Sequence, residues 1–289
     1  EACLRQQSCH RVRVPKGRPV FLNHREADRL FLYASSLSGW SGSSREGMGH
    51  MMKTLFQASA WNALALGNFD AAVNAGDLLR CADTGIGVGA ALNGAVILED
   101  GVAYRATADG GVAVMQPENG IAFAAAMAFD ENAPDVELKN IGSIESLRRA
   151  LEPFVNSNRN IFYMIKAGGV FNAVHLCSWD TCRKPYPTLA EAAKSQHEFC
   201  FENTRGNVIA VWCPQYLSGI CLPGWHFHYL SSDKTQGGHV LDLSVDRLHM
   251  KIHRIERFDL TLPQNPEFAQ RDLCEELSAK TAAVESTKK

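Results

Sequence analysis

The pattern of apolar and polar positions changes texture near residue 52. Before it, only HREADRLFLYASS (24–36) has a helix-like spacing, and the stretch closes on the Gly/Ser-rich GWSGSSREGMGH (39–50). Without a periodic core pattern, residues 1–51 read as an N-terminal extension. From Met52, MKTLFQASAWNALALGNFDAAVNAGDLLRCADTG alternates small apolar residues with helix formers. A helix opening at Asn68–Asp70 and ending before Gly85 is expected there. GIGVGAALNGAVILEDGVAYRATADGGVAVM (85–115) then reads as a series of strands. Asp100-Gly101 and Asp109-Gly110-Gly111 supply its turns.

SIESLRRALEPFVN (143–156) predicts an amphipathic helix capped by Ser143, with Leu147, Leu151 and Phe154 on one side. NIFYMIKAGGVFNAVHLC (160–177) is strand-like, PTLAEAAKSQHEF opens a helix on Pro187, and NVIAVWCPQYL is a strand broken by Pro214. Alternation from Val240 to Leu262 predicts one long or two consecutive strands, and a helix from about Pro266 to Val284 closes the chain. Strands predominate over a few helices, which makes the fold class α+β. The expected division is an extension 1–51, an N-terminal α/β part 52–157 and a C-terminal part 158–289.

One stretch carries candidate chemistry. In GWHFHYLSSDKTQGGH (224–239), strand parity puts His226 and His228 on one face and Trp225, Phe227 and Tyr229 on the other. The hydrophilic SSDKTQGG returns the chain, so that His239 heads the next strand beside the first two. Three neutral imidazoles converging from one side suit catalytic zinc with an open position, or another divalent first-row metal. A cupin-type site would need a Glu soon after the second His, where Leu230 to Asp233 stand instead. The other histidines have no comparable neighbours.

Charge and composition narrow the partners. A formal charge of −2, from 29 Lys plus Arg against 31 Asp plus Glu, argues against a polyanion or a membrane surface. A hydrophobic content of 46% without a long apolar run predicts a soluble globular chain. The nine cysteines are odd in number and irregularly spaced, so no complete disulfide framework is readable. No leader is visible, and the compartment stays open between cytoplasmic and secreted.

The order of segments resembles the α-acetolactate decarboxylases over about residues 53–286. The most specific part is PQYLSGICLPGWHFHYLSSDKTQGGHVLDL (214–243), supported by LFQASAWNALALGNFD, GIGVGAALNGAVILEDGVAY, IAFAAAMAFD, and GVFNAV followed by KPYPTL. The resemblance implies a two-part fold with a sheet in each part, often dimeric, and Zn²⁺ held by His226, His228 and His239. It also implies loss of CO₂ from a 2-hydroxy-3-oxo acid, with the ion stabilising the enediolate that remains. The family's acid/base Glu falls on Ala95 and its active-site arginine on Cys177. Lys166 sits at a second family arginine, and Glu285 matches a late Glu that would serve as proton donor. With Gly89-Ala90-Ala91 nearby, these changes imply a roomier, less charged pocket, suited to a larger keto acid or ketone. Decarboxylation, isomerisation and cyclisation stay open, beside ordinary acetolactate decarboxylation and a non-catalytic zinc-containing relative. For Cys177 the alternatives are a small buried replacement for Arg, a zinc ligand or a nucleophile.

Overall fold

The computed structural model describes residues 54–274; the extension, its helix-like patch and Glu285 lie outside them. In chain order the elements are β1 (Thr54–Ala58), α1 (Trp61–Ala65), β2 (Val73–Asn74), α2 (Ala75–Leu79), β3 (Thr84–Gly89), β4 (Ala95–Glu99), β5 (Val102–Ala106), β6 (Val112–Val114), β7 (Gly120–Met127) and β8 (Asp135–Ile141). They continue with α3 (Ile144–Asn156), β9 (Phe162–Ser178), α4 (Leu189–Ala192), β10 (His197–Cys213), β11 (Gly224–Ser231), β12 (Gly237–Ile255), β13 (Arg257–Thr261) and α5 (Pro266–Gln270).

Two sheets result. The first runs β13-β1-β7-β3-β4-β5-β6, with β2 added against β7, and the second runs β11-β10-β9-β12-β8, with β11 also pairing β12. The first sheet is mixed, because β13 lies parallel to β1, and the second is antiparallel throughout. The α+β expectation holds. Residues 157 and 158 fall between α3 and β9, yet β8 joins the second sheet and β13 the first, so a strand crosses that position in each direction.

Facing surfaces of the sheets enclose a shared core of Ile86, Val88, Phe123 and Met127 from one side and Met164, Ile209, Val211 and Leu241 from the other. The outer face of the second sheet packs on α3 through Leu147, Leu151, Phe154 and Val155. Sequence foresaw this helix: Ser143 accepts from the Ser146 amide at its N-terminus. The outer face of the first sheet packs on Leu78 of α2. There Gly85 and Gly87 of β3 are required by close approach, since a Cβ would stand 2.5 Å from the Ala126 Cβ and 2.4 Å from the Phe123 carbonyl oxygen. The Asp100-Gly101 hairpin also forms, both residues having positive φ, 52° and 75°.

Three helices differ from the sequence pattern: the one expected over PTLAEAAKSQHEF is confined to Leu189–Ala192 behind the Thr188 cap, because His197 already opens β10. No helix starts at Asn68: its side-chain Nδ2 donates to Asn265 Oδ1 and the Ala72 backbone amide pairs with the Ile121 carbonyl, so the chain is drawn into β2. The helix comes later and shorter, at Ala75–Leu79, where Asn74 and Asp77 form a capping box. The C-terminal helix starts at Pro266 as expected, but Arg271 is extended, because its guanidinium reaches the Leu66 carbonyl and Asn62 Nδ2 reaches the Leu273 carbonyl at 2.8 Å.

At the end of β4 the Glu99 carboxylate is 1% exposed, held by Asn207 Nδ2 at 2.5 Å and by the Lys234 ammonium. Removing the cation strands a buried charge. Lys234→Met should therefore cost about 2 kcal/mol in urea unfolding, discounted because the lysine is partly exposed. Adding Glu99→Gln should recover more than half of the loss; no recovery would mean that the lysine acts through packing alone.

Candidate metal centre in the cleft between the sheets

β11 and β12 form the hairpin that strand parity predicted, with His228 directly opposite His239. The connection is shorter than expected, residues 232–236, because Ser231, Gly237 and Gly238 are drawn into the strands. Ser231 Oγ holds that turn by accepting from the Thr235 and Gln236 amides. Trp225, Phe227 and Tyr229 face the opposite way, into the core beneath α3.

The three imidazoles meet. His226 Nε2 lies 3.1 Å from His228 Nε2 and 3.0 Å from His239 Nδ1, and the three donor atoms all lie within 4.8 Å of one another. Bonds of 2.0–2.1 Å to a tetrahedral zinc would set ligand atoms about 3.3 Å apart, so the two short separations match within a few tenths of an ångström. His228 Nδ1 stands 2.9 Å from the Val96 carbonyl oxygen. A carbonyl only accepts, so Nδ1 carries the hydrogen and the Nε2 lone pair is turned toward the other two rings. These residues fit a divalent ion.

Their environment keeps His226 and His228 neutral. Burial, followed by the influence of His239 and Arg148, holds His226 well below the ordinary imidazole pKa, and burial with His226 and His239 does the same for His228 despite the Val96 carbonyl. In the metal-free protein the unfolded chain takes up protons below the ordinary value of 6.5 that the folded chain refuses. Their contribution to stability is thus complete above that pH and is lost as pH falls below it. Chelator-stripped protein should melt several degrees lower at about pH 5.5 than at about pH 7.5. A His226→Gln/His228→Gln variant should show a flatter dependence; an equal slope would assign the effect to other groups.

The histidines open into a narrow cleft with about 50 Å³ of free volume. Its walls are mostly apolar, with Trp61, Leu92, Phe123, Trp179 and Val211 among the lining residues. Gln57 also lines it, but its amide donates to the Ser59 and Ile220 carbonyls and its oxygen accepts from Cys221. No Asp, Glu, Lys or Arg is among the described residues lining the cleft.

The remaining candidates fall at different depths. Ala95 is fully buried and pairs across the strands with Val88, a cleft residue, so a longer side chain there would face the same core. Cys177 is fully buried opposite His239 on β12, hence on the same sheet face, but is not part of the three-nitrogen cluster. His175, two residues away, is paired with Glu198 at 3.0 Å. Lys166 does not line the cleft: its ammonium binds Asp100 at 2.5 Å and Glu131 at 2.9 Å. Burial alone would lower its pKa, and the two carboxylates reverse that and keep it charged. Glu285 is outside the described residues. Sequence reasoning singled out neither Gln57, Trp61 nor Trp179 as cleft residues, although the first two lie in the quoted LFQASAWNALALGNFD.

Residues 55–275 match the family model described as alpha-acetolactate decarboxylase. The alpha-acetolactate decarboxylase of Brevibacillus brevis is 34% identical over 235 residues, 81% of this chain and 82% of that protein. The enzyme of the same name from Methanosarcina mazei is 31% identical over 231 residues, 80% of each chain. The crystal structure of alpha-acetolactate decarboxylase from Bacillus subtilis strain 168 superposes with a TM-score of 0.76 at 26% identity, covering 81% of this chain and all of that one (100%).

Proposed function

The chain belongs to the alpha-acetolactate decarboxylase family, and on that premise we propose that it is a zinc-dependent carboxy-lyase acting on an oxygenated keto acid bulkier than acetolactate. The observation that carries this reading is the convergence of His226, His228 and His239 on a cleft whose described lining residues include no Asp, Glu, Lys or Arg. Zn²⁺ held by those three histidines would supply Lewis-acid polarisation of a substrate carbonyl.

The chain's own residues account for the rest. Val96 fixes the tautomer of His228, and burial keeps His226 and His228 unprotonated. Trp61, Phe123 and Trp179 exclude water from the reacting end, where polar interactions strengthen accordingly. Loss of CO₂ disperses a carboxylate's charge, a change that apolar walls favour over the localised ion. Cys177 is read as a small buried replacement for the family's arginine, which leaves volume instead of a clamping cation. Glu285 is the proposed proton donor. Lys166, already committed to Asp100 and Glu131, serves as a structural cation beside the site.

A second reading has support from the same wall. A cleft with no charged group among its described lining residues also suits a zinc-containing protein that binds a ligand without turning it over. A panel of 2-hydroxy-3-oxo acids and β-keto acids, presented to the zinc-loaded chain with detection of CO₂ and of rearranged products, separates the two. CO₂ is the expected result; a rearranged product would make the enzyme an isomerase or cyclase, and ligand binding without either product would establish the non-catalytic reading.

A further inference from the structure

The hairpin that carries the three histidines meets the first sheet at two places on one strand. His228 Nδ1 donates to the Val96 carbonyl of β4 at 2.9 Å, and further along β4 the Glu99 carboxylate takes the Lys234 ammonium from the tip of the hairpin. β4 is itself held on both edges: Val96 pairs with Gly87 of β3 and Arg105 of β5, and Glu99 pairs with Val102 of β5. The strand is thus a fixed reference against which the hairpin has to be located.

Lys234 makes its contact at a local cost. It stands in the turn at 232–236 with φ at 61°, a left-handed backbone that glycine, asparagine and aspartate adopt more readily than lysine. Turn chemistry alone would favour one of those residues there. The ammonium crosses to the other sheet, where it lies on Glu99 and 5.5 Å from the centre of the Tyr104 ring. The other Glu99 oxygen accepts from Asn207 Nδ2 of β10 at 2.5 Å, so one buried carboxylate ties both the turn and the strand beside β11 to β4. Between turn and ligands the hairpin is short. Leu230 pairs with Gly237, Tyr229 with Gly238 and His228 with His239, so a shift of the turn is passed along one ladder to both facing histidines.

We propose that Lys234 and Glu99 are positioning residues for the metal centre, a role that rests on the zinc reading above: their ion pair holds the hairpin against β4, so that His228 keeps its bond to Val96 and His239 stays opposite it. Neither residue belongs to the histidine cluster or lines the cleft. They act through the outer partner of a ligand, and losing such a partner costs a metal site about 10–100-fold in affinity.

The test separates metal affinity from stability, on full-length protein kept well below its unfolding temperature, with zinc set by competition with a chelating dye. Lys234→Met should bind zinc about tenfold more weakly than wild type, the lower end of that range because the clamp is one contact removed from the ligand. Glu99→Gln combined with Lys234→Met leaves no stranded charge, so its urea midpoint should recover while its zinc affinity stays about tenfold weak. Lys234→Arg keeps the cation and should bind close to wild type. Co²⁺ in place of zinc reads the ligand geometry through its visible absorption, and those bands should be altered in the double variant and preserved in Lys234→Arg. Zinc affinity and cobalt bands equal to wild type in the double variant, or an affinity that returns together with the urea midpoint, would make the pair structural only and overturn the proposal. A wild-type chain that takes up no zinc would instead overturn the zinc reading, and the positioning role with it.

Discussion

His226→Ala should leave the purified protein without bound metal, where the wild type should carry one ion per chain by elemental analysis. His226 Nε2 stands between the other two ring nitrogens, at 3.1 and 3.0 Å, so its loss leaves two ligands and no closed face. Altering an outer partner of a metal ligand typically costs 10–100-fold in affinity, and removing a ligand itself should cost at least about a hundredfold. Any carboxy-lyase turnover should fall to background in the same preparation. The fold should survive, because His226 is partly exposed at the cleft whereas Trp225 and Phe227 beside it carry the core. A variant that keeps its metal would place the ion elsewhere.

Acetolactate should be a poor substrate. Set beside the Brevibacillus brevis relative under identical conditions, this chain should turn acetolactate over at least about a hundredfold more slowly, since loss of a single charge-stabilising donor costs 10²–10³ in rate. Ala95 and Cys177 occupy the positions that the resemblance gives to a proton-transferring Glu and a carboxylate-binding Arg, and both are fully buried. Lys166 offers no substitute while it bridges Asp100 and Glu131. Equal rates would mean that groups beyond residues 54–274, Glu285 foremost, restore what the cleft wall lacks.

Local pattern made the histidine cluster legible. Period-2 spacing alone assigned His226 and His228 to one face, and the polar turn brought His239 back opposite His228. The Ser143 cap and the Leu147, Leu151 and Phe154 stripe identified α3 for the same reason, each depending on neighbours within one helix. What escaped depends on residues distant in sequence. Asn68 starts no helix because Asn265, 197 positions away, holds its side chain. The alternation of β13 reads as a strand, but nothing local says that it leaves the second sheet to lie parallel to β1. Gln57 and Cys221 are 164 positions apart, and Glu99 and Lys234 135, so neither buried contact has a sequence signature. The five-residue turn differed from the expected eight because the glycines fit the ladder that they were taken to interrupt.

On the proposed function, a three-histidine zinc site works in a cleft that suits a bulkier, less tightly charge-clamped acid than acetolactate. The most direct measurement is kcat/KM for CO₂ release by the zinc-loaded full-length chain across 2-hydroxy-3-oxo acids whose methyl groups are extended one methylene at a time. A rise of roughly tenfold per added methylene, until the apolar wall is filled, is the predicted result. A maximum at acetolactate that declines with every added carbon would contradict it.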